Sequence, residues 1–191
     1  MVIEYTLDVF EQNNNISEII LVVDSLKDVY FTKLQKTYSK ISRVILGGKT
    51  RGLSIINAAN ALQEDEDCFV VIHDACRPFL DPEIIQKGIH LLKQKEFVKT
   101  VLSPQDDIMF SKKEIIDRSQ YVILSSPDFL SLSFLRKLVQ HNLYGLSCVF
   151  SAALKFNPDI HFEYILSNRK NMKITFPEDI KTAEFYLLSQ S

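Results

Sequence analysis

Short apolar runs alternate along this chain with helical patterns, and that alternation restricts the fold more than any other feature. The runs are 19–23 (IILVV), 43–46 (RVIL), 68–72 (CFVVI), 98–102 (VKTVL), 121–124 (YVIL) and 172–175 (MKIT). Each is too short for a helix and most are rich in Val and Ile, so buried strands are expected. Between several of them lie stretches with a helical apolar period, at 52–62, 82–93, 131–141 and 177–188. The clearest is 82–93. Asp81 is its N-cap, Pro82 sits in its first turn, and Ile84, Ile85, Gly88, Ile89 and Leu92 form one face. Pro177-Glu178-Asp179 opens the last helix, with acids at the positive end of its dipole. Strands alternating with helices predict an α/β domain, a mostly parallel sheet with helices on both faces.

With 191 residues, the chain is read as one domain, 1–191, able to bury a full core. It has no internal repeat, low-complexity tract or linker. A net charge of −2 offers no argument for nucleic acid or an anionic membrane as partner. No stretch is apolar enough to span a bilayer, and the first residues show no basic region followed by an apolar one. Cys68, Cys76 and Cys148 have neither pairing nor metal-ligand spacing. Cys68 reads as core, and the cytoplasm is the expected compartment.

Three polar clusters sit next to strand ends, where open α/β sheets bind ligands. In "VVIHDACRPF", residues 70–79, a buried run passes directly into His73, Asp74 and Arg77. A loop with a structural Asp–Arg pair is the alternative to a binding loop. In "LGGKTRGLS", residues 46–54, Gly47 and Gly48 stand between a strand and a helix. Backbone N–H groups there approach an anion or a planar base closely, although a tight turn into a helix has the same signature. The Gly-Lys-Thr step is not a P-loop, because position 43 is Arg43 rather than the required glycine. In "NMKITFPED", residues 171–179, Lys173 is placed either to hold a phosphate or simply to be solvated.

Together and in this order, the clusters resemble the cytidylyltransferases that activate sugar-alcohol phosphates, the family of 2-C-methyl-D-erythritol 4-phosphate cytidylyltransferase and ribitol-5-phosphate cytidylyltransferase. Its Gly-Gly-x-x-Arg-x-x-Ser is met by Gly47, Gly48, Arg51 and Ser54, and its His-Asp-Ala-x-Arg-Pro by His73 to Pro78. Its Asp-Arg ahead of Thr-Pro-Gln corresponds to Asp117-Arg118 and Ser126-Pro127-Asp128. Its closing Asn-x-Lys-x-Thr-x-Pro-x-Asp is met by Asn171, Lys173, Thr175, Pro177 and Asp179. The opening "VIEYTLDVF" resembles the family's first helix.

The resemblance implies a Rossmann-like nucleotidyltransferase domain with an arm, around 105–120, that builds a homodimer. The implied reaction is CTP plus an alditol phosphate giving a CDP-alditol and pyrophosphate, with Mg2+ assisting. Gly47, Gly48, Arg51, Ser54, Asp74 and Ala75 would bind the nucleotide. Arg77, Asp107, Arg118 and Lys173 would bind the substrate, Arg118 reaching across the dimer. Asp74, Arg118 and Lys173 would carry catalysis, and Asp74 would lie in the metal region.

The chain also departs from the family pattern. It starts at the helix that follows the family's first strand and Gly-rich phosphate loop, so a strand-and-loop unit of roughly 30 residues is expected to be missing. The family's acidic segment before the last strands reads here "SCVFSAAL", 147–154, and its Asp-Thr reads Asp106-Asp107. Three functions follow as expectations. The first is a cytidylyltransferase; "HDACRPF" and "FSAALK" stand slightly nearer its ribitol-phosphate branch. The second is a catalytically dead relative acting as a binding or scaffold subunit. The third is a glycosyltransferase with a metal-binding Asp pair, against which Asp106-Asp107 lacks the Asp-x-Asp spacing.

Overall fold

The computed structural model describes residues 1–62, 68–111, 114–141 and 148–189. The chain opens on α1 (Val2–Glu11), then runs through β1 (Ile19–Val23), α2 (Val29–Thr37), β2 (Ile41–Leu46) and α3 (Arg51–Ala61). Next come β3 (Phe69–Ile72), α4 (Pro82–Leu92) and β4 (Phe97–Leu102). A hairpin of β5 (Ile108–Ser111) and β6 (Glu114–Ile116) leads to β7 (Ile123–Ser131) and α5 (Leu132–Gln140). The chain ends with α6 (Val149–Phe156), β8 (Phe162–Leu166) and α7 (Pro177–Leu188).

The main sheet has the order β3-β7-β4-β8, and β1 and β2 form a separate parallel pair. β4 and β8 are parallel, whereas β7 is antiparallel to both β3 and β4. The expected α/β class therefore holds, with β7 as the reversed strand. Its direction has a simple cause. A hairpin rather than a crossover helix joins β4 to β7, so β7 returns beside β4 antiparallel.

Side chains alternate between two cores, as a pleated strand requires. Val70, Ile72, Phe97 and Leu130 face a cluster built with α3, α5 and α6. Val71, Val98 and Phe129 face a second cluster built with α1 and α4. In α4 the face read from the sequence is the buried one, and Ile85 is fully enclosed. Gly88 is required there. A Cβ on it would lie 2.4 Å from the Phe129 ring.

α1 bridges the two sheets. Its Leu7 packs with Leu21, Val23 and Leu34 on the β1–β2 side, while Phe10 packs with Val98 and Phe129. Among the described residues β1 and β3 share no ladder, so each is an edge strand. The consequence shows in β3, where Phe69 is exposed, while β4 is buried from Phe97 to Val101.

Two expected strands are corrected. Residues 172–175 are not a strand. Ile174 donates one backbone hydrogen bond to the Cys76 carbonyl, and among the described residues no neighbour offers a full ladder. The strand expected at 121–124 instead starts at Ile123 and continues to Ser131 through Pro127. Proline ends most strands, but here it sits where the β4–β7 register is broken between Lys99 and Val101, so no ladder donor is needed. The strands β5, β6 and β8 and the helices α2 and α6 have no counterpart among the runs and helical stretches read from the sequence. Among the described residues no helix is long and apolar enough to cross a membrane.

Candidate active site

The site forms where the loop after β3 meets the start of α3. Asp74 is its centre. Arg51 Nε donates to Asp74 Oδ1 at 3.1 Å, and Arg77 Nε donates to Oδ2 at 3.3 Å. The turn holding Arg77 is closed by its own N–H bonding the Asp74 carbonyl at 3.0 Å. Burial by itself would raise the Asp74 carboxyl. Arg51, Lys173 and Arg77 outweigh that and hold it below the usual carboxylate range. Lys173 is thus brought to the same place, on the segment that Ile174 ties to Cys76. Burial raises the Cys76 thiol, so this cysteine stays protonated near neutrality.

His73 anchors the loop from below. Its Nε2 lies 3.0 Å from the Arg77 carbonyl, which can only accept, so Nε2 carries the proton. Burial lowers its pKa to about 4, so the ring is neutral and Nδ1 accepts from Ser126 Oγ at 3.1 Å. The same Ser126 hydroxyl accepts from the Asp74 N–H at 3.2 Å. Behind Arg77, its Nη1 donates to the Asn171 carbonyl at 2.8 Å, and Asn171 Nδ2 donates to the Ser126 carbonyl at 2.7 Å. Thr6 of α1 donates to the Ala75 carbonyl at 2.9 Å, fixing that backbone from the other side.

The glycine turn is equally well defined. Gly47 donates to the Val23 carbonyl at 2.7 Å, which holds the turn against β1. Thr50 caps α3 by accepting from the Leu53 N–H. Ser54 Oγ accepts from the Gly48 N–H and donates to the Thr50 carbonyl, both at 3.1 Å. A Cβ on Gly48 would lie 2.2 Å from Leu53 Cβ, and one on Gly47 would lie 2.9 Å from Ser54 Oγ. Gly48 needs glycine for this close approach.

The fold therefore gathers Gly47, Gly48, Arg51, Ser54, Asp74, Ala75, Arg77 and Lys173 at one end of the sheets. Asp107 stands just before β5 and Arg118 shortly after β6, where Arg118 donates to the Gln105 carbonyl. Ser126 and Asn171 appeared in the sequence only as motif positions, yet they hold Asp74 and Arg77 in place. Their signal was present in the Ser-Pro-Asp and Asn-x-Lys steps. Lys99 of β4, buried against Asp128, had no local signal.

The residues do not fit a resident magnesium ion. Both Asp74 oxygens are engaged by guanidinium groups. Among the described residues no group of three or more His, Cys, Asp or Glu side chains gathers there to hold a metal ion.

Comparison with known proteins agrees with this geometry. The model of the family described as "IspD: 2-C-methyl-D-erythritol 4-phosphate cytidylyltransferase" matches residues 1–189. The bifunctional ribulose 5-phosphate reductase/CDP-ribitol pyrophosphorylase of Haemophilus influenzae is 31% identical over 202 residues, covering 99% of this chain and 42% of that protein. The 2-C-methyl-D-erythritol 4-phosphate cytidylyltransferase of Clostridioides difficile is 28% identical over 193 residues, covering 96% of this chain and 80% of that one. The crystal structure of 4-diphosphocytidyl-2C-methyl-D-erythritol synthase from Anaerococcus prevotii shares the fold, with a TM-score of 0.88 at 24% identity over 98% of this chain and 86% of that chain. The match runs through every element that builds the Asp74 site, and the chain belongs to the 2-C-methyl-D-erythritol 4-phosphate cytidylyltransferase family.

Proposed function

We propose that the protein transfers a cytidylyl group from CTP to the phosphate of an alditol phosphate, releasing pyrophosphate. The observation that carries this reading is the clamp of Asp74 between Arg51 and Arg77, with Lys173 beside it and the Gly47–Gly48 turn one residue pair away from Arg51. A carboxylate surrounded by cations suits a substrate that carries both hydroxyls and a phosphate. Asp74 accepts from hydroxyls, while Arg77 and Lys173 bind the anion.

The chemistry needs positioning and charge neutralisation more than a covalent intermediate. An oxygen of the substrate phosphate attacks the α-phosphorus of CTP, the new phosphorus–oxygen bond forms, and the bond to pyrophosphate breaks. Lys173 directs the attacking phosphate and offsets the negative charge of the transition state. The Gly47–Gly48 backbone and Ser54 lie against the cytidine. Arg51 links the two halves by holding Asp74. In this reading magnesium is only a companion of the CTP substrate.

The assembly we propose is a cytoplasmic homodimer built through the arm at 105–120. Ile115 and the run Tyr121 to Leu124 are exposed apolar residues that a second copy would cover, and Arg118 would then serve the partner's site. The test of the reading is pyrophosphate release from CTP with ribitol 5-phosphate and with 2-C-methyl-D-erythritol 4-phosphate in parallel. Release with either supports it and names the branch. No release with any alditol phosphate removes it.

One observation favours a second reading, a non-catalytic binding or scaffold subunit. The segment where the resemblance expects acids begins α6, and Val149 and Phe150 are buried there, with Phe150 packed on Phe97 and Phe162. Binding of CTP without turnover, by calorimetry and product assay together, is the expected outcome under that reading.

A further inference from the structure

We propose that Lys99 and Asp128, a buried ion pair inside the main sheet, form a positioning device for the Asp74–Arg77 end of the site. The inference rests on the cytidylyl-transfer reading and names what holds its substrate end in shape.

Lys99 of β4 and Asp128 of β7 are direct partners in the sheet register. Their side chains are 3% and 0% exposed, and Lys99 Nζ donates to Asp128 Oδ1. The next positions on the same face, Phe97 and Leu130, are both buried and apolar. A charged pair in such surroundings is costly to desolvate, and packing alone is served at least as well by apolar residues. The pair is explained by what else it touches.

Lys99 Nζ also donates to the Ser125 carbonyl at 2.6 Å. The β4–β7 register is broken over this stretch, so the ladder does not hold Ser125 to Pro127 in place. The ammonium does so instead. The next residue, Ser126, then bonds the Asp74 N–H and His73 Nδ1 through its hydroxyl, and Asn171 through its carbonyl. Asn171 in turn holds Arg77. Two branches thus run from one anchored turn to the two residues that face the substrate. Asp128 keeps the Lys99 charge compensated, and among the described residues its Oδ2 has no hydrogen-bond partner.

The decisive variant is Lys99→Met with Asp128→Leu, which removes both charges and keeps apolar volume. It is expected to unfold in urea near the wild-type midpoint. Its KM for the alditol phosphate is expected to rise at least tenfold while its KM for CTP stays within twofold. The His73 ring signals in nitrogen-15 NMR, assigned with His73→Gln, are expected to shift. Wild-type KM values and an unchanged His73 ring overturn the inference. If the double variant does not fold, Ser126→Ala is measured by the same assay, and a wild-type KM for the alditol phosphate overturns it equally. If the wild-type protein releases no pyrophosphate, it is the cytidylyl-transfer reading that fails. The His73 ring still decides the positioning role: a shift supports it and an unchanged ring ends it.

Discussion

Arg51 Nε donates to Asp74 Oδ1 at 3.1 Å, and this one contact joins the first turn of α3 to the loop that leaves β3. The two residues are 23 positions apart. Their meeting brings the glycine turn after β2 beside the His-Asp loop after β3, although β1–β2 and the main sheet are separate ladders.

Replacing Asp74 by Asn keeps the shape and removes the charge that holds Arg51 and Arg77 together. We expect kcat/KM for cytidylyl transfer to fall by about 100-fold, or roughly 3 kcal/mol of transition-state stabilisation. Stability should fall by only about 1 kcal/mol, because the site is partly solvated. Steady-state kinetics alongside urea unfolding separate the two effects. Equal activity in the variant would remove Asp74 from the mechanism.

Lys173→Ala probes the exposed cation of the site. An exposed loop residue contributes little to folding, so the unfolding free energy should stay within about 0.5 kcal/mol. The turnover number should drop by about tenfold or more, with KM for CTP nearly constant, since Lys173 is assigned to the attacking phosphate. A change confined to the KM for CTP would move Lys173 to the nucleotide.

His73 makes stability depend on pH. In the unfolded chain its pKa is near 6.5, and in the folded chain burial lowers it to about 4. Between these values the unfolded state binds more protons, so stability rises with pH across the window and is lost as pH falls from 6.5 to 4. The loss amounts to roughly 3 kcal/mol at the acid end. Urea unfolding from pH 7 to pH 4 measures it, and His73→Gln should flatten that part of the curve. An identical slope in the variant would assign the pH dependence to other groups.

Gly88→Ala tests the packing of α4 on β7. The new methyl would lie 2.4 Å from the Phe129 ring, so the ring or the helix must move. We expect a loss of about 1–3 kcal/mol, read as a lower urea midpoint at unchanged slope. The usual gain from Gly to Ala inside a helix is smaller and opposite in sign.

Much of the architecture was legible because it rests on local patterns. The run IILVV became β1 with its stated limits, and Pro177-Glu178-Asp179 opened α7 as read. The His-Asp-Ala-x-Arg-Pro and Gly-Gly-x-x-Arg-x-x-Ser steps were legible as well, because each is a short run whose residues stay neighbours in space. The strand through Pro127 was not. A proline reads as a breaker, and only the broken β4–β7 register makes it tolerable inside a strand. MKIT failed in the opposite way, since alternation alone makes no strand without a partner edge.

The amino-acid sequence by itself determined the α/β class, the starts of α4 and α7 and the family, because periodicity, capping chemistry and short motifs are carried by adjacent residues. Only the tertiary structure decided that Arg51, Asp74, Arg77 and Lys173 share one place, and that Lys99 lies buried against Asp128. The physical reason is distance along the chain. A lysine in VKTVL looks like an exposed charge on a strand until the partner strand supplies the carboxylate and the carbonyl that make its burial possible.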